Sequence, residues 1–240
     1  MMNTNVSPEQ SAATKRGVIS WAIKGLFAKA LVVVVLFWSA GDLRWLWGWV
    51  YVAIFLAFDL ATALVVIPRH PELLVERSRK QPDTKRWDSI LVQFAAFFLP
   101  VATWIVAGLG WRSGWLPGVA LELQVAAAII TMLGYGIDIW AMGANAFFSV
   151  TVRIQKERGH TVATGGPYRF VRHPGYVGAM IFTIAAPIML GSVWALIPAG
   201  INVILYIVRT ALEDKTLLEE LEGYPEYARQ TRYRLLPGIW

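Results

Sequence analysis

Tyr168, Arg169, Arg172, His173 and Tyr176 bring five side chains capable of binding or catalysis into nine residues. Gly165-Gly166-Pro167 forces a turn just before them. Pro174 suits the first turn of a helix, so His173 is expected at a helix N-terminus, where free N–H groups attract anionic ligand groups. Gly175 and Gly178 leave that helix open to a close neighbour or a ligand. Further along, Arg209 and Glu213 stand four residues apart and share one helix face. Each feature has an ordinary reading. The basic residues anchor headgroups, the glycines pack helices, and Arg209–Glu213 is a surface ion pair worth ~0.3–0.5 kcal/mol. Convergence of the whole group is harder to assign to anchoring alone. His70, His160 and His173 include no two at metal-ligand spacing on one helix, so no metal site is expected. With no Cys among 240 residues, thiol catalysis, disulfides and Cys-ligated metals are excluded.

The elements that position these residues are apolar. Hydrophobic residues make up 56% of the chain and charged ones 16%, against about 25% in a soluble domain, which points to an integral membrane protein. Ser89–Trp111 has no ionisable side chain; Trp45–Ile67 is interrupted only by Asp59, and Val119–Ala141 by Glu122 and Asp138. Pro174–Val208 is uncharged and too long for one crossing, so a hairpin turning near Gly191–Ser192 is expected. Ala30–Ala40 makes a first span only if Lys24 and Lys29 snorkel. The predicted fold is an all-α polytopic bundle of about six spans, or five if the first is merely interfacial. Residues 1–14 read as a disordered tail, 15–141 as N-terminal spans and 142–240 as a core holding the 174–208 hairpin. In the tail, Arg209–Leu221 carries leucines on one side and charges on the other, a helix stopped by Gly223 and Pro225.

Of the 22 Lys and Arg, 20 lie before the first span, in Pro68–Asp88, in Met142–His173 or from Arg209 onward; only Arg44 and Arg112 lie on the opposite side. That asymmetry places both termini and both long loops in the cytoplasm. It also explains the net charge of +6 as topology and attraction to lipid headgroups, not nucleic-acid binding.

The pattern Gly159-His160-x-x-x-Thr164-x-Gly166-x-Tyr168-x-x-x-Arg172-His173-Pro174-x-Tyr176-x-Gly178, with Arg209-x-x-x-Glu213-Asp214-x-x-Leu217 and Gly223-Tyr224-x-Glu226-Tyr227, resembles the isoprenylcysteine carboxyl methyltransferase family. The resemblance covers roughly Phe147–Pro237; Pro71-Glu72-Leu73-Leu74 adds a weaker echo. It implies an integral membrane enzyme that uses S-adenosylmethionine and releases S-adenosylhomocysteine. Carried over by position, His160, Thr161, Val162, Ala163, Tyr168, His173, Pro174, Gly175, Tyr176 and Glu213 would contact the cofactor, and Arg209 the acceptor. A further cofactor contact falls on Gln155 by residue type or Arg153 by spacing. The cofactor pocket would lie between the 142–173 loop and the C-terminal helix, at the cytoplasmic face of a prokaryotic inner or plasma membrane. Departures from the family pattern are Val162-Ala163 for Leu-Val and Glu213-Asp214 for Glu-Glu.

Residue chemistry agrees with this reading: a carboxylate such as Glu213 suits the α-ammonium of the cofactor, Arg, His and free N–H groups its carboxylate, and tyrosines its adenosine. An amphiphilic or small acceptor is expected, first a carboxylate, already ionised at pH 7, then a lipid amine or a thiol. A nicotinamide-dependent reductase would need a larger anionic pocket. The intramembrane acids Asp59, Glu122 and Asp138 raise a transporter reading, weakened by the lack of an evident cationic partner for any of them.

Overall fold

The computed structural model describes residues 8–79, 81, 83–115 and 118–240. Among them it is helical and contains no strand. The order is α1 (Pro8–Ala40), α2 (Leu46–Val66), α3 (Pro71–Ser78), α4 (Arg86–Gln93), α5 (Leu99–Ser113), α6 (Leu121–Ala144), α7 (Pro174–Met189), α8 (Leu196–Glu220) and α9 (Tyr224–Gln230). A π turn at Phe94–Phe98 joins α4 to α5, giving one apolar rod from Arg86 to Ser113.

Among the described residues, five helices are long and apolar enough to cross a membrane: α1, α2, the α4–α5 rod, α6 and α8. The hairpin expected in 174–208 is present as α7 and α8, turning at Gly191 with a positive φ of 77°. Its first arm, α7, has 16 residues, about 24 Å at 1.5 Å per residue. Of the six spans expected, α7 is the one that falls short of that length, whereas α1, the one in doubt, is long. That helix starts at Pro8, within the stretch read from sequence as a tail; residues 1–7 lie outside the described set.

Large apolar side chains such as Phe27, Trp38, Leu64 and Leu133 face outward, as in a protein solvated by lipid. Inside, small residues bring α6 and α7 together. A Cβ on Gly178 would lie 2.5 Å from the Gly134 carbonyl oxygen, so only glycine admits this approach. Two sequence expectations need correction here. Lys29 does not snorkel; it is 6% exposed and forms an ion pair with Asp59 of α2. Asp59 therefore does have a cationic partner inside the bundle, and Lys29 also lies over the Phe55 ring at 4.1 Å. Burying either charge alone would be costly, and pairing offsets part of that cost.

The ends of the bundle differ as the charge pattern requires. The turn after α1 meets the end of α5, where Trp45 stacks on Trp111 with centroids 5.6 Å apart. The α7–α8 turn joins them, Gly110 approaching Ser192. This end carries Arg44 and Arg112. The opposite, basic end is built from α3, the segment 145–173, the last turns of α8, and α9. Leu73 and Leu74 of α3 are fully buried with Val66 and Met142, which fixes α3 against the helix ends.

Candidate functional site

The α6 helix ends at Asn145, whose side chain accepts a hydrogen bond from the Phe147 amide at 2.8 Å and turns the chain back across the basic end. Gly166, with φ +57°, starts the short helix Gly166–Arg169 that delivers Tyr168. His173 caps α7 and Pro174 occupies its first turn, as the sequence implied. On the other side α8 runs unbroken from the apolar region to Glu220, so Arg209 and Glu213 belong to a spanning helix and not to a separate tail helix.

These pieces surround one cavity of about 420 Å³. His160, Thr161, Val162, Ala163, Tyr168, His173, Gly175, Tyr176, Arg209 and Glu213 all line it. Of the remaining candidates, Pro174 is buried in the α7 first turn, and Gln155 is fully buried behind the wall. Gln155 Nε2 donates to the Phe147 carbonyl at 2.8 Å, and its Oε1 accepts from Arg158. Arg153, the alternative to Gln155, does line the cavity. It is held by Glu76 at 2.9 Å and Glu157 at 2.5 Å.

The cavity has two characters. Toward the basic end its walls are polar and carry the motif residues. Toward the bundle interior it is an aromatic chamber, with Phe58, Tyr135 and Phe182 in one stack at centroid distances of 4.5 and 4.3 Å. The π turn belongs to this wall. It frees the Ala95 carbonyl, which accepts a hydrogen bond from Asn202 of α8 at 3.0 Å, while Ala95 and Ala96 line the chamber.

Glu213 and Asp214 are neighbours in sequence with different surroundings. Glu213 faces the cavity and among the described residues accepts one hydrogen bond, from the Tyr176 hydroxyl at 2.6 Å. Asp214 is fully buried. Arg172 grips it with two bonds of 2.8 and 3.0 Å, and Arg234, Tyr224 and His173 add contacts of 2.7, 2.8 and 3.1 Å. This knot ties α8 to the start of α7 and to the C-terminal segment. Arg172 and His173 are thus largely spent on a protein carboxylate.

Arg209 departs from the face-sharing picture in the same way. Among the described residues its ion pair is with Asp88 of α4 at 2.7 Å, and not with Glu213; it also donates to the Val150 carbonyl at 3.0 Å and lies 5.5 Å from the Tyr176 ring centre. Asp88 accepts a second bond from the Val152 amide at 2.7 Å, so it fixes the cavity wall as well as the arginine. Sequence reasoning passed over Asp88, which marked only the end of a loop. It also took no notice of Asn145, Phe147 and Phe148. Nothing local in the sequence signals these long-range partners.

His160 stacks on Phe147 at 4.6 Å, and its Nδ1 accepts from the Gln155 amide. Burial, then the charges of Arg158 and Arg153, lower its pKa to about 4, so it is neutral at pH 7. Burial raises Tyr168 well above an ordinary tyrosine, so its hydroxyl stays protonated, accepting from Asn145 at 3.1 Å. None of the hydrogen bonds among the described residues uses the N–H groups of Thr161, Val162, Ala163 or Thr164. No group of three or more His, Asp or Glu side chains among the described residues is placed to hold a metal ion.

The Isoprenylcysteine carboxyl methyltransferase (ICMT) family matches residues 126–219, from α6 through α7 to the last turn of α8. Two rice proteins (Oryza sativa subsp. indica and subsp. japonica), each described as a probable protein-S-isoprenylcysteine O-methyltransferase, are 28% identical to this chain over 89 residues, covering 36% of it and 47% of theirs. The chain therefore spans about half the length of the curated relatives it matches. The matched segment supplies the motif-bearing wall of the cavity, α6, α7 and α8 included; over residues 126–219 this chain matches the isoprenylcysteine carboxyl methyltransferase family.

Proposed function

We propose that this protein is an integral membrane methyltransferase that transfers a methyl group from S-adenosylmethionine to an ionised carboxylate on an amphiphile. One observation carries the reading: the family's motif residues line the polar half of a cavity whose other half is an aromatic chamber between spanning helices.

The donor set fits the cofactor. Glu213 has acceptor capacity beyond the Tyr176 hydroxyl and suits an α-ammonium. Arg172 and His173 are engaged with Asp214, so the α-carboxylate falls to the unused amides of Thr161–Thr164. Val162, Ala163 and the Tyr168 and Tyr224 rings provide apolar faces for adenosine. When bound, the cofactor supplies an electrophilic methyl group on a sulfonium. The protein's part is alignment and exclusion of water, since a carboxylate at pH 7 is already a nucleophile and needs no base. Arg209, its charge balanced by Asp88, offers a fixed N–H donor to the acceptor more than a free charge. The aromatic chamber takes the apolar chain. With both termini in the cytoplasm, the cofactor would enter from the aqueous side and the acceptor from the bilayer.

The test is incubation of purified protein with methyl-labelled S-adenosylmethionine and fractionated membrane lipid. Base-labile label in an acidic, apolar fraction is expected, as for an ester. Label that resists base places the methyl on an amine or thiol. No transfer, together with tight NADPH binding, replaces the reading with a reductase.

A further inference from the structure

Four arginines line the cavity: Arg77, Arg153, Arg172 and Arg209. Three are spent on protein carboxylates: Arg153 on Glu76 and Glu157, Arg172 on Asp214, and Arg209 on Asp88. Arg77 differs. Among the described residues no hydrogen bond or ion pair engages its guanidinium, which lies over the Phe148 ring with its carbon 5.6 Å from the centroid. Asp138 and Asp59 act on it only through space. Asp59 already has Lys29, and Asp138 lines the cavity beside Gly175 without a hydrogen-bonded partner among the described residues.

The mounting of Arg77 is rigid. On either side of it in α3, Leu73, Leu74, Glu76 and Ser78 are buried; Glu76 is held by Arg153 at 2.9 Å, and the Ser78 carbonyl accepts from Lys24 of α1 at 2.5 Å. Phe148, under the guanidinium, packs within 2.6 Å of where a Cβ on Gly175 would sit. Arg77 therefore stands beside the start of α7, at the junction of the motif residues and the aromatic chamber. A cation held in a largely apolar cavity with its donors unused is costly, and the cost is relieved by an anion that matches its planar fork.

We propose that Arg77 is the acceptor-binding residue, its guanidinium holding the anionic headgroup of an amphiphile whose chain fills the aromatic chamber. The proposal rests on the methyltransferase reading and deepens it. Arg209 then orients the headgroup, and Arg77 supplies the charge that selects it. Asp138 opposes that charge and sets how tightly the anion is held.

Calorimetry on the full-length protein in detergent tests this with an N-acyl-S-alkyl-cysteine, its neutral amide, and S-adenosylhomocysteine as probes. Arg77→Gln should weaken binding of the carboxylate at least tenfold while leaving the amide and S-adenosylhomocysteine within twofold; Arg77→Lys should recover part of the loss. Equal loss for carboxylate and amide makes Arg77 structural and overturns the proposal, as does a loss confined to S-adenosylhomocysteine. Phosphatidylglycerol nanodiscs distinguish the source of the anion. If they displace the carboxylate probe from wild type but bind Arg77→Gln weakly, the natural anion is a lipid phosphate in the same site. Should Arg77→Gln fail to fold, Asp138→Asn provides the reverse test: tighter carboxylate binding is expected, and unchanged binding overturns the proposal. A wild type that binds the carboxylate but not S-adenosylhomocysteine refutes the methyltransferase reading alone.

Discussion

Glu213 and Asp214 differ by one methylene and one position on α8, yet opposite consequences are expected from neutralising them. Glu213 faces the cavity with a single hydrogen bond among the described residues, from Tyr176. Glu213→Gln leaves that bond possible and removes only the charge offered to the cofactor's ammonium. A hydrogen bond to a charged group is worth about 1.5–3 kcal/mol, so S-adenosylhomocysteine should bind roughly 10- to 150-fold more weakly, with the melting temperature nearly unchanged. Asp214 is buried and neutralises Arg172 and Arg234 while accepting from Tyr224. Asp214→Asn leaves a buried guanidinium without its counter-charge, a loss of about 3–5 kcal/mol, or roughly 6–20 °C for a chain of this size. The assays are calorimetric titration of S-adenosylhomocysteine and thermal unfolding in detergent, run on both variants. The reasoning is refuted if Glu213→Gln melts early and binds normally, or if Asp214→Asn binds poorly at full stability.

Other perturbations separate further roles. Arg209→Lys can keep the charge on Asp88 but cannot also reach the Val150 carbonyl with the same fork; cofactor affinity should hold within twofold while methyl transfer slows at least tenfold, about 1.4 kcal/mol of barrier, and full transfer would return Arg209 to a structural role. His160 has a folded pKa near 4, below the ordinary value of 6.5, so the unfolded chain binds the proton first as pH falls. Its contribution to stability is complete above pH 6.5 and is lost between about 6.5 and 4; melting curves of His160→Phe, which keeps a ring against Phe147, should show a weaker pH dependence in that window. Gly178→Ala drives a Cβ to within 2.5 Å of the Gly134 carbonyl and should cost about 1–3 kcal/mol in detergent unfolding, whereas Gly200→Ala, with open space around it, should be neutral or stabilising. For topology, Ser78 is buried, so exposed Arg79 and Thr164 are the sites for introduced cysteines in this Cys-free chain; an impermeant reagent that labels them in intact cells would reverse the orientation.

What the sequence made legible was whatever depends on neighbours in the chain. Apolar runs marked the spans because a helix must satisfy its own backbone in lipid, and Gly191 marked the hairpin because a tight turn needs a positive φ. His173-Pro174 marked the start of α7 through its capping geometry. The pairings were hidden. Lys29 lies 30 residues from Asp59, and Arg209 lies 121 from Asp88, so periodicity cannot join them. Helical spacing made Arg209 and Glu213 look like partners because it counts positions on one face and takes no account of a second helix packed against that face. Spacing alone does not separate Glu213 from Asp214 either; it was the family resemblance that singled out Glu213. Which one enters the cavity depends on how α8 is rotated against α7, and the Asp214 knot holds that rotation.

The basic residues carry the deepest ambiguity, because one composition serves two purposes. A positive-inside bias needs arginines at the membrane boundary and is indifferent to what each one touches. The structure sorts them by partner. Arg153 draws α3 onto the segment after α6, Arg172 draws α8 onto the start of α7, and Arg209 draws α4 onto α8. Each ion pair closes the basic end around the cavity, using charge that topology had already placed there. Arg77 belongs to the same α3 helix and the same sequence tally, yet among the described residues it closes nothing. The fold supplies Arg153, Arg172 and Arg209 with fitted carboxylates and leaves Arg77 facing the cavity beside an aromatic chamber, and that contrast is the ground on which we propose Arg77 for a carboxylate from outside the chain.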